Sequence, residues 1–335
     1  MSYTEEEIYS QPDVWAKTLR NLDVSQAKKI FGNKSTIIAT GCGSTHYLAL
    51  IFSSMLSSAG YRSVGLPASE LLPQSEYLLE EPSNSILVAI SRSGTTTETI
   101  QAARRFKEIG GGTLVVISCY PDSELALLAD FIFGVPEAQE KSVAQTRSFN
   151  TMLLVCQAII GTLLDADLTE LDALPGHASK ILSQYRAPLK ALAENPQISR
   201  FFFLASGRLF GVAAEGMLKL KEMSLTSSEA YHSLEFRHGP MSMCDPESAI
   251  IALITPESST RELGVVADVS PLVGEVFTIG QAGTCEIPES VSPWCRPVLY
   301  LLPLQMLALE RAKSKGLNPD SPRHLSAVIR LETAL

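Results

Sequence analysis

The chain is short of positive charge: 27 Lys and Arg stand against 36 Asp and Glu, for a formal net charge of −9. Nucleic-acid backbones need basic surfaces, so this balance argues against a nucleic-acid partner. A small phosphate can still be held by backbone N–H groups and a few cations. Long apolar runs are also missing. None approaches the roughly 20 residues of a membrane span, and no membrane partner is expected. The opening Met1-Ser2-Tyr3-Thr4-Glu5-Glu6-Glu7 is acidic and lacks the basic start and apolar stretch of a signal peptide, which points to the cytoplasm. The six cysteines (Cys42, Cys119, Cys156, Cys244, Cys285 and Cys295) form no C-x-x-C pair and lie at no metal spacing from histidine. Reduced thiols and no metal site follow. The Gly41-Cys42-Gly43 turn lacks the third glycine of a dinucleotide fingerprint, position 46 being His46, so no nicotinamide cofactor is expected.

What is present is an ordinary enzyme composition, 45% hydrophobic and 19% charged, in 335 residues, long enough for about two domains. The densest local signal is Ser91-Arg92-Ser93-Gly94-Thr95-Thr96-Thr97-Glu98-Thr99. It follows the buried-strand pattern Ser85–Ile90 and precedes the helical pattern Ile100–Phe106. A single Ser or Thr there is ordinarily a helix cap. One helix needs one cap, however, and this loop brings a crowd of hydroxyls and a glycine to a helix N-terminus, where unpaired N–H groups and a partial positive charge favour an anion. A phosphate monoester suits it.

The pattern recurs along the chain. Strand-like Thr36–Thr40, Gly41-Cys42-Gly43-Ser44 and helix-like Tyr47–Leu56 are echoed by Phe202–Ser206, Gly207-Arg208 and Val212–Met223. Leu87–Ile90 and Thr113–Ser118 in the first half match Ile250–Ile254 and Glu275–Ile279 in the second. Alternating β and α segments predict two parallel sheets with helices on both faces. The intervening Leu164–Asn195 reads as helical, Val298–Ala312 as a helix with Pro303 placed early, and Gly316–Leu335 as irregular.

A second constellation lies in Ala214–Ser224. On a helix Glu215, Lys219 and Glu222 fall at i, i+4 and i+7 and share a face. Such stripes are commonly solvated ion pairs, but the rest of this helix is small and apolar, which implies burial and candidate acid–base chemistry. His238 precedes Gly239-Pro240 and belongs in a turn; with Glu222 it offers a carboxylate–imidazole pair. His46, His177 and His232 lack such company.

Taken in order, Cys42-Gly43-Ser44-Thr45, Ser91-Arg92-Ser93-Gly94-Thr95-Thr96, Val143-Ala144-Gln145-Thr146-Arg147-Ser148-Phe149, Leu218-Lys219-Leu220-Lys221-Glu222 and Arg237-His238-Gly239-Pro240 resemble the double sugar-isomerase (SIS) family. The family includes the isomerase half of glucosamine-6-phosphate synthase, stand-alone phosphosugar isomerases and deaminases, and fructosamine-6-phosphate deglycases. The resemblance covers nearly the whole chain. It implies an α/β fold of two tandem SIS domains, flavodoxin-like, in a homodimer or higher homo-oligomer. The corresponding boundaries are 1–170 for N-terminal helices plus the first domain, 171–196 for a helical linker and 197–335 for the second domain and tail. It further implies that Gly43, Ser44, Thr45, Ser91, Arg92, Ser93 and Thr96 bind the substrate phosphate and that Val143, Gln145 and His324 line the site. Glu222 would move a proton between C1 and C2. His238, a residue that in the family can come from the neighbouring subunit, would serve ring opening or leaving-group protonation, and Glu215 and Lys219 would support the site.

Three departures narrow the expectation. Ser2, not cysteine, follows Met1, so glutamine-dependent synthesis by an N-terminal glutaminase domain is not expected. Thr255-Pro256-Glu257-Ser258-Ser259-Thr260 replaces the hydroxyl-rich loop in the second half, suggesting one phosphate site per chain. Relatives carry a lysine in the tail motif P-R-N-L-x-K, whereas this chain reads Pro322-Arg323-His324-Leu325-Ser326-Ala327. A plain ketose can use an enzyme lysine as a Schiff base; an amino sugar brings its own nitrogen. Ala327 therefore tilts the expectation from aldose–ketose isomerase toward deaminase or deglycase on a sugar 6-phosphate or amino-sugar phosphate, without cofactor. The rival class is a non-catalytic sugar-phosphate regulator, which has no need of Glu222 and His238.

Overall fold

A computed structural model describes residues 2–32, 36–72 and 81–326. Ala327, singled out above, lies outside the described residues. Helices α1 (Tyr3–Tyr9), α2 (Gln11–Asn21) and α3 (Ala27–Phe31) lead into β1 (Thr36–Gly41), α4 (Ser44–Ser58), β2 (Ser63–Pro67), β3 (Ser85–Ser91), α5 (Thr97–Glu108), β4 (Thr113–Ser118), β5 (Phe131–Gly134) and α6 (Arg147–Leu163). Then come α7 (Leu174–Gln184), α8 (Arg186–Glu194), β6 (Arg200–Ala205), α9 (Leu209–Ser224), β7 (Ser227–His232), β8 (Ser248–Leu253), α10 (Ser259–Val269), β9 (Glu275–Gly280), β10 (Cys285–Glu286) and α11 (Pro297–Ser314).

The chain packs as two compact units. One comprises Asp13–Glu140 and Arg147–Asp172; the other comprises residues 2–12, Lys141–Thr146 and Ala173–Leu325. In the first the strand order is β2-β1-β3-β4-β5, with every pairing parallel. In the second it is β10-β9-β8-β6-β7, also all parallel, which is the same order with β6 in the place of β1. These are the two parallel α/β sheets with surrounding helices that the alternating pattern predicts.

The apolar strands form because parallel strands covered on both faces can bury every side chain. All seven residues of β3 are buried. On one face of the first sheet Ile38, Leu87, Ala89, Leu114 and Val116 meet Ile100, Ala103 and Phe106 of α5. The second sheet repeats this with Phe202, Leu204, Ile250 and Ala252 against Val265 and Val269 of α10. Among the described residues no helix is long and apolar enough to cross a membrane.

Gly65 fixes how closely α4 lies on β2. A Cβ there would come within 2.9 Å of the Ala49 carbonyl oxygen and the Leu50 Cα, both backbone atoms that cannot swing aside. Gly65→Ala is expected to lower unfolding free energy by about 1–3 kcal/mol, the usual cost of overpacking. Urea denaturation followed by circular dichroism measures it, and an unchanged midpoint would show that the contact yields freely.

Candidate active site

In a sheet of order 2-1-3-4-5 the chain turns opposite ways after β1 and β3, opening a crevice at their carboxyl ends. In the first unit both hydroxyl-rich loops leave from that point. β1 and β3 pair directly, and the loops they feed stay adjacent, with Cys42 Sγ 3.4 Å from Thr99 Oγ1. The Ser91–Thr96 loop is held in shape by its own hydroxyls. Ser91 Oγ accepts from the Gly94 N–H at 3.0 Å, and Ser93 Oγ accepts from the Thr95 N–H at 3.2 Å and the Thr95 hydroxyl at 3.1 Å. From outside, the Gly94 carbonyl accepts from Leu125 N–H at 3.0 Å and the Arg92 carbonyl from Cys119 N–H at 3.2 Å. Gly94 has φ +63°, and a Cβ there would meet Ser123 Oγ at 1.9 Å, so only glycine fits.

Two expected phosphate ligands face elsewhere. Thr45 Oγ1 accepts from Cys42 N–H and donates to Cys42 carbonyl, both at 3.0 Å, closing the turn that starts α4. Arg92 is buried and pairs with Glu140 at 3.3 Å. Gly43 is the N-cap of α4 and Ser44 its buried first residue. Ser93 and Thr96 are half-buried, and Thr96 caps α5 without a side-chain bond to it. The N-terminus of that helix lies at the crevice, where its positive dipole end favours an anion. Burial pushes the His46 imidazole below its ordinary value.

The second unit carries the acid–base set. Glu215, Lys219 and Glu222 lie on one face of α9. Lys219 Nζ is 3.3 Å from Glu215 and bonded to Glu222 Oε2. Glu215 and Lys219 are wholly buried, while Glu222 keeps 18% side-chain exposure. Burial alone would depress the lysine pKa; the two carboxylates outweigh it and hold it above the ordinary value. The helix thus presents a locked ammonium behind one partly exposed carboxylate, a geometry suited to moving a proton. His238 ends the turn Glu235–Arg237 and is exposed, and its imidazole makes no hydrogen bond or ion pair among the described residues. The structure brings Glu215, Lys219 and Glu222 together, and no hydrogen bond or ion pair among the described residues joins His238 to them. His324 is exposed at φ +63°.

Val143 and Gln145 lie in the Lys141–Thr146 segment, which the helix α1 and tail residue Asp320 hold. Val143 N–H donates to the Asp320 carbonyl at 3.1 Å, and Gln145 Oε1 is buried with no hydrogen-bond partner among the described residues. Buried Glu7 accepts from the N–H groups of Lys141 at 2.6 Å and Ser142 at 3.3 Å and from the Ser142 hydroxyl. The Asp320 carboxylate accepts from Tyr3 N–H, Thr4 N–H and the Thr4 hydroxyl at 3.0, 2.7 and 2.7 Å. Gln305 Nε2 donates to the Thr146 carbonyl at 3.0 Å. Sequence reading misses Glu7, Asp320, Ser123 and Glu140. Only the run of acidic residues at the start of the chain hints at the first.

The SIS-domain profile matches residues 30–161 and 197–270. The chain belongs to the SIS-domain family. Glutamine--fructose-6-phosphate aminotransferase from Pyrobaculum aerophilum is 29% identical over 352 residues, covering 97% of this chain and 57% of that protein. The same enzyme of Escherichia coli K12 is 29% identical over 98% of this chain and 59% of its own length. The SIS chain therefore spans less than two thirds of these relatives. Among solved structures, glucosamine-6-phosphate deaminase from Thermotoga maritima superposes with a TM-score of 0.85 at 26% identity, over 98% of this chain and 100% of that one. Tagatose-6-phosphate ketose/aldose isomerase from E. coli shares the fold, with a TM-score of 0.85 at 23% identity over 99% and 97% of the two chains.

Removing the lysine charge from this SIS helix strands two carboxylates. Lys219→Met is expected to cost about 3–5 kcal/mol, as for other broken buried pairs. Adding Glu215→Leu should restore a large part of it. Calorimetric melting of both variants checks this; a double variant no more stable than the single would show that Glu215 is indifferent to the ammonium.

Proposed function

We propose that this SIS protein shifts a proton between C1 and C2 of a phosphorylated amino sugar, without a cofactor, and so releases the nitrogen as a deaminase or deglycase. The observation that carries the reading is Glu222, fixed by the buried Lys219 ammonium yet partly exposed. Ser91, Ser93 and Thr96 of the hydroxyl-rich loop, with Gly43 and Ser44, form the phosphate-binding element in this reading, while Thr45 and Arg92 hold the two loops in shape. The solved SIS relative at 26% identity is a glucosamine-6-phosphate deaminase, and its likeness over 98% of this chain supports it.

Glucosamine 6-phosphate in its open form has an aldehyde at C1 and an amine at C2. Glu222 takes the C2 proton as O1 is protonated, giving an enaminol, and returns it to C1 as the nitrogen gives up a proton. The product is a C2 imine, which water hydrolyses to the ketose phosphate and ammonia. For a fructosamine phosphate the proton moves from C1 to C2, and hydrolysis of the C1 imine releases the amino compound. In both cases the substrate supplies the nitrogen that an enzyme lysine would otherwise supply, consistent with Ala327 in the tail motif. His238, exposed on its own chain, is assigned to ring opening in a neighbouring copy of a homodimer or larger assembly.

Proton NMR in D₂O with fructose 6-phosphate, glucosamine 6-phosphate and an amino-acid-conjugated fructosamine 6-phosphate tests the reading. Amine release from a nitrogen-bearing sugar is expected, and efficient turnover of the plain ketose phosphate would replace it with an isomerase. No exchange on any of the three would indicate a regulator. Glu222→Gln should lower kcat about 10²–10⁴-fold, the usual contribution of general acid–base catalysis, and leave sugar-phosphate binding nearly unchanged. Lost binding with turnover intact would remove Glu222 from this role.

A further inference from the structure

Because the two sheets share one strand order, the second unit has its own switch point, at the carboxyl ends of β6 and β8. The hydroxyl-rich loop is missing there, yet the place is not featureless. Helices α9 and α11 both begin at it, and their N-cap residues are Arg208 and Arg296. Neither helix has an acidic residue in its first turn. A cation at the positive end of a helix dipole is disfavoured, and here two such ends each carry one.

Arg296 is 6% exposed. Its Nε donates to the Val291 carbonyl and its Nη2 to the Glu289 carbonyl at 2.8 Å. Nη1 is buried with no hydrogen-bond partner among the described residues. With Arg208, Thr255, Glu257 and Tyr300 it lines a narrow cleft, open to solvent, whose free volume of about 10 Å³ is room for one water while Glu257 lies against Arg208. Two carboxylates are near. Glu262 is turned onto its own loop, accepting from Thr255 N–H at 2.6 Å and the Thr255 hydroxyl at 3.1 Å. Glu257 meets Arg208, but its side chain is 49% exposed.

We propose that this cleft is a second anion site, for a phosphoryl group held by Arg296 and Arg208, and that Glu257 occupies Arg208 while the anion is absent. Paired guanidiniums beside helix N-termini suit a compact dianion with several acceptor oxygens. Inorganic phosphate and the phosphoryl end of a sugar phosphate share that chemistry. The site is independent of the reading given for Glu222 and the Ser91–Thr96 loop, and its failure would leave that reading untouched.

Isothermal titration of the full chain with inorganic phosphate, and separately with glucosamine 6-phosphate, tests it in Arg208→Ala, Arg296→Met and Glu257→Gln. A binding component weakened about tenfold or more by each arginine substitution is expected, as for lost charge-assisted hydrogen bonds. Glu257→Gln should strengthen the same component, because it removes the competing carboxylate; a gain of affinity cannot come from misfolding. An effect with inorganic phosphate alone identifies free phosphate as the ligand, and one with the sugar phosphate as well identifies the phosphorylated sugar. Titrations insensitive to all three substitutions overturn the proposal. So does a loss confined to Arg296→Met with the other two silent, since Arg296 also holds the Glu289–Val291 backbone.

Discussion

Parallel strand pairing decides where chemistry can occur in this chain. Each crossover returns the backbone to the same edge of the sheet, so every strand ends on one rim and every following helix begins there. Loops, unpaired N–H groups and positive dipole ends accumulate on that rim, and the crevice opens where successive crossovers run in opposite directions. In the first unit that crevice lies between β1 and β3. The hydroxyls of Ser91, Ser93 and Thr95 spend part of their hydrogen bonding on keeping the loop in shape. The backbone N–H groups can then meet an anion without first reorganising.

Buried charge sets the second constraint. An isolated ammonium in the interior is far too costly, and a carboxylate on either side makes it tolerable. Lys219 takes one partner a turn before it and another a turn after it on α9, so a single rigid helix supplies all three groups. The same logic explains Arg92. Its guanidinium meets the buried Glu140, which also accepts from Ser148 N–H at 3.0 Å. Arg92 in this arrangement anchors the loop from beneath, leaving the half-buried hydroxyls of Ser93, Thr95 and Thr96 nearer the surface.

How much of this is legible in the sequence follows from how local each signal is. The central strands β1, β3, β4, β6 and β8 read clearly because burial on both faces makes them near-continuous apolar runs, and β9, though half its positions are only partly buried, is still marked by Val276, Phe277 and Ile279. The edge strands β2, β5, β7 and β10 escape that reading. β7, Ser227–His232, has exposed and half-exposed positions over most of its length and no run to detect. The i, i+4, i+7 spacing of Glu215, Lys219 and Glu222 is visible because one helix carries it. Thr45 facing its own turn and His238 standing exposed depend on backbone angles that residue type does not encode. Glu7 binding Lys141, and Asp320 binding Thr4, join segments more than a hundred residues apart, and no local pattern announces them.

The internal repeat preserves topology more strictly than chemistry. Both sheets bury the same kind of apolar faces, so strand order is held by packing, and packing is indifferent to what occupies the rim. The rim of the first unit recruits hydroxyls and a positive-φ glycine; that of the second recruits two arginines and a carboxylate. Helix α9 starts at this second rim and carries Lys219 on its third turn. Any anion that neutralises Arg208 therefore acts on the same helix dipole that Glu215, Lys219 and Glu222 experience, although the field falls off within about a turn. Coupling between rim and cluster would have to travel through the position of the helix rather than through its charge.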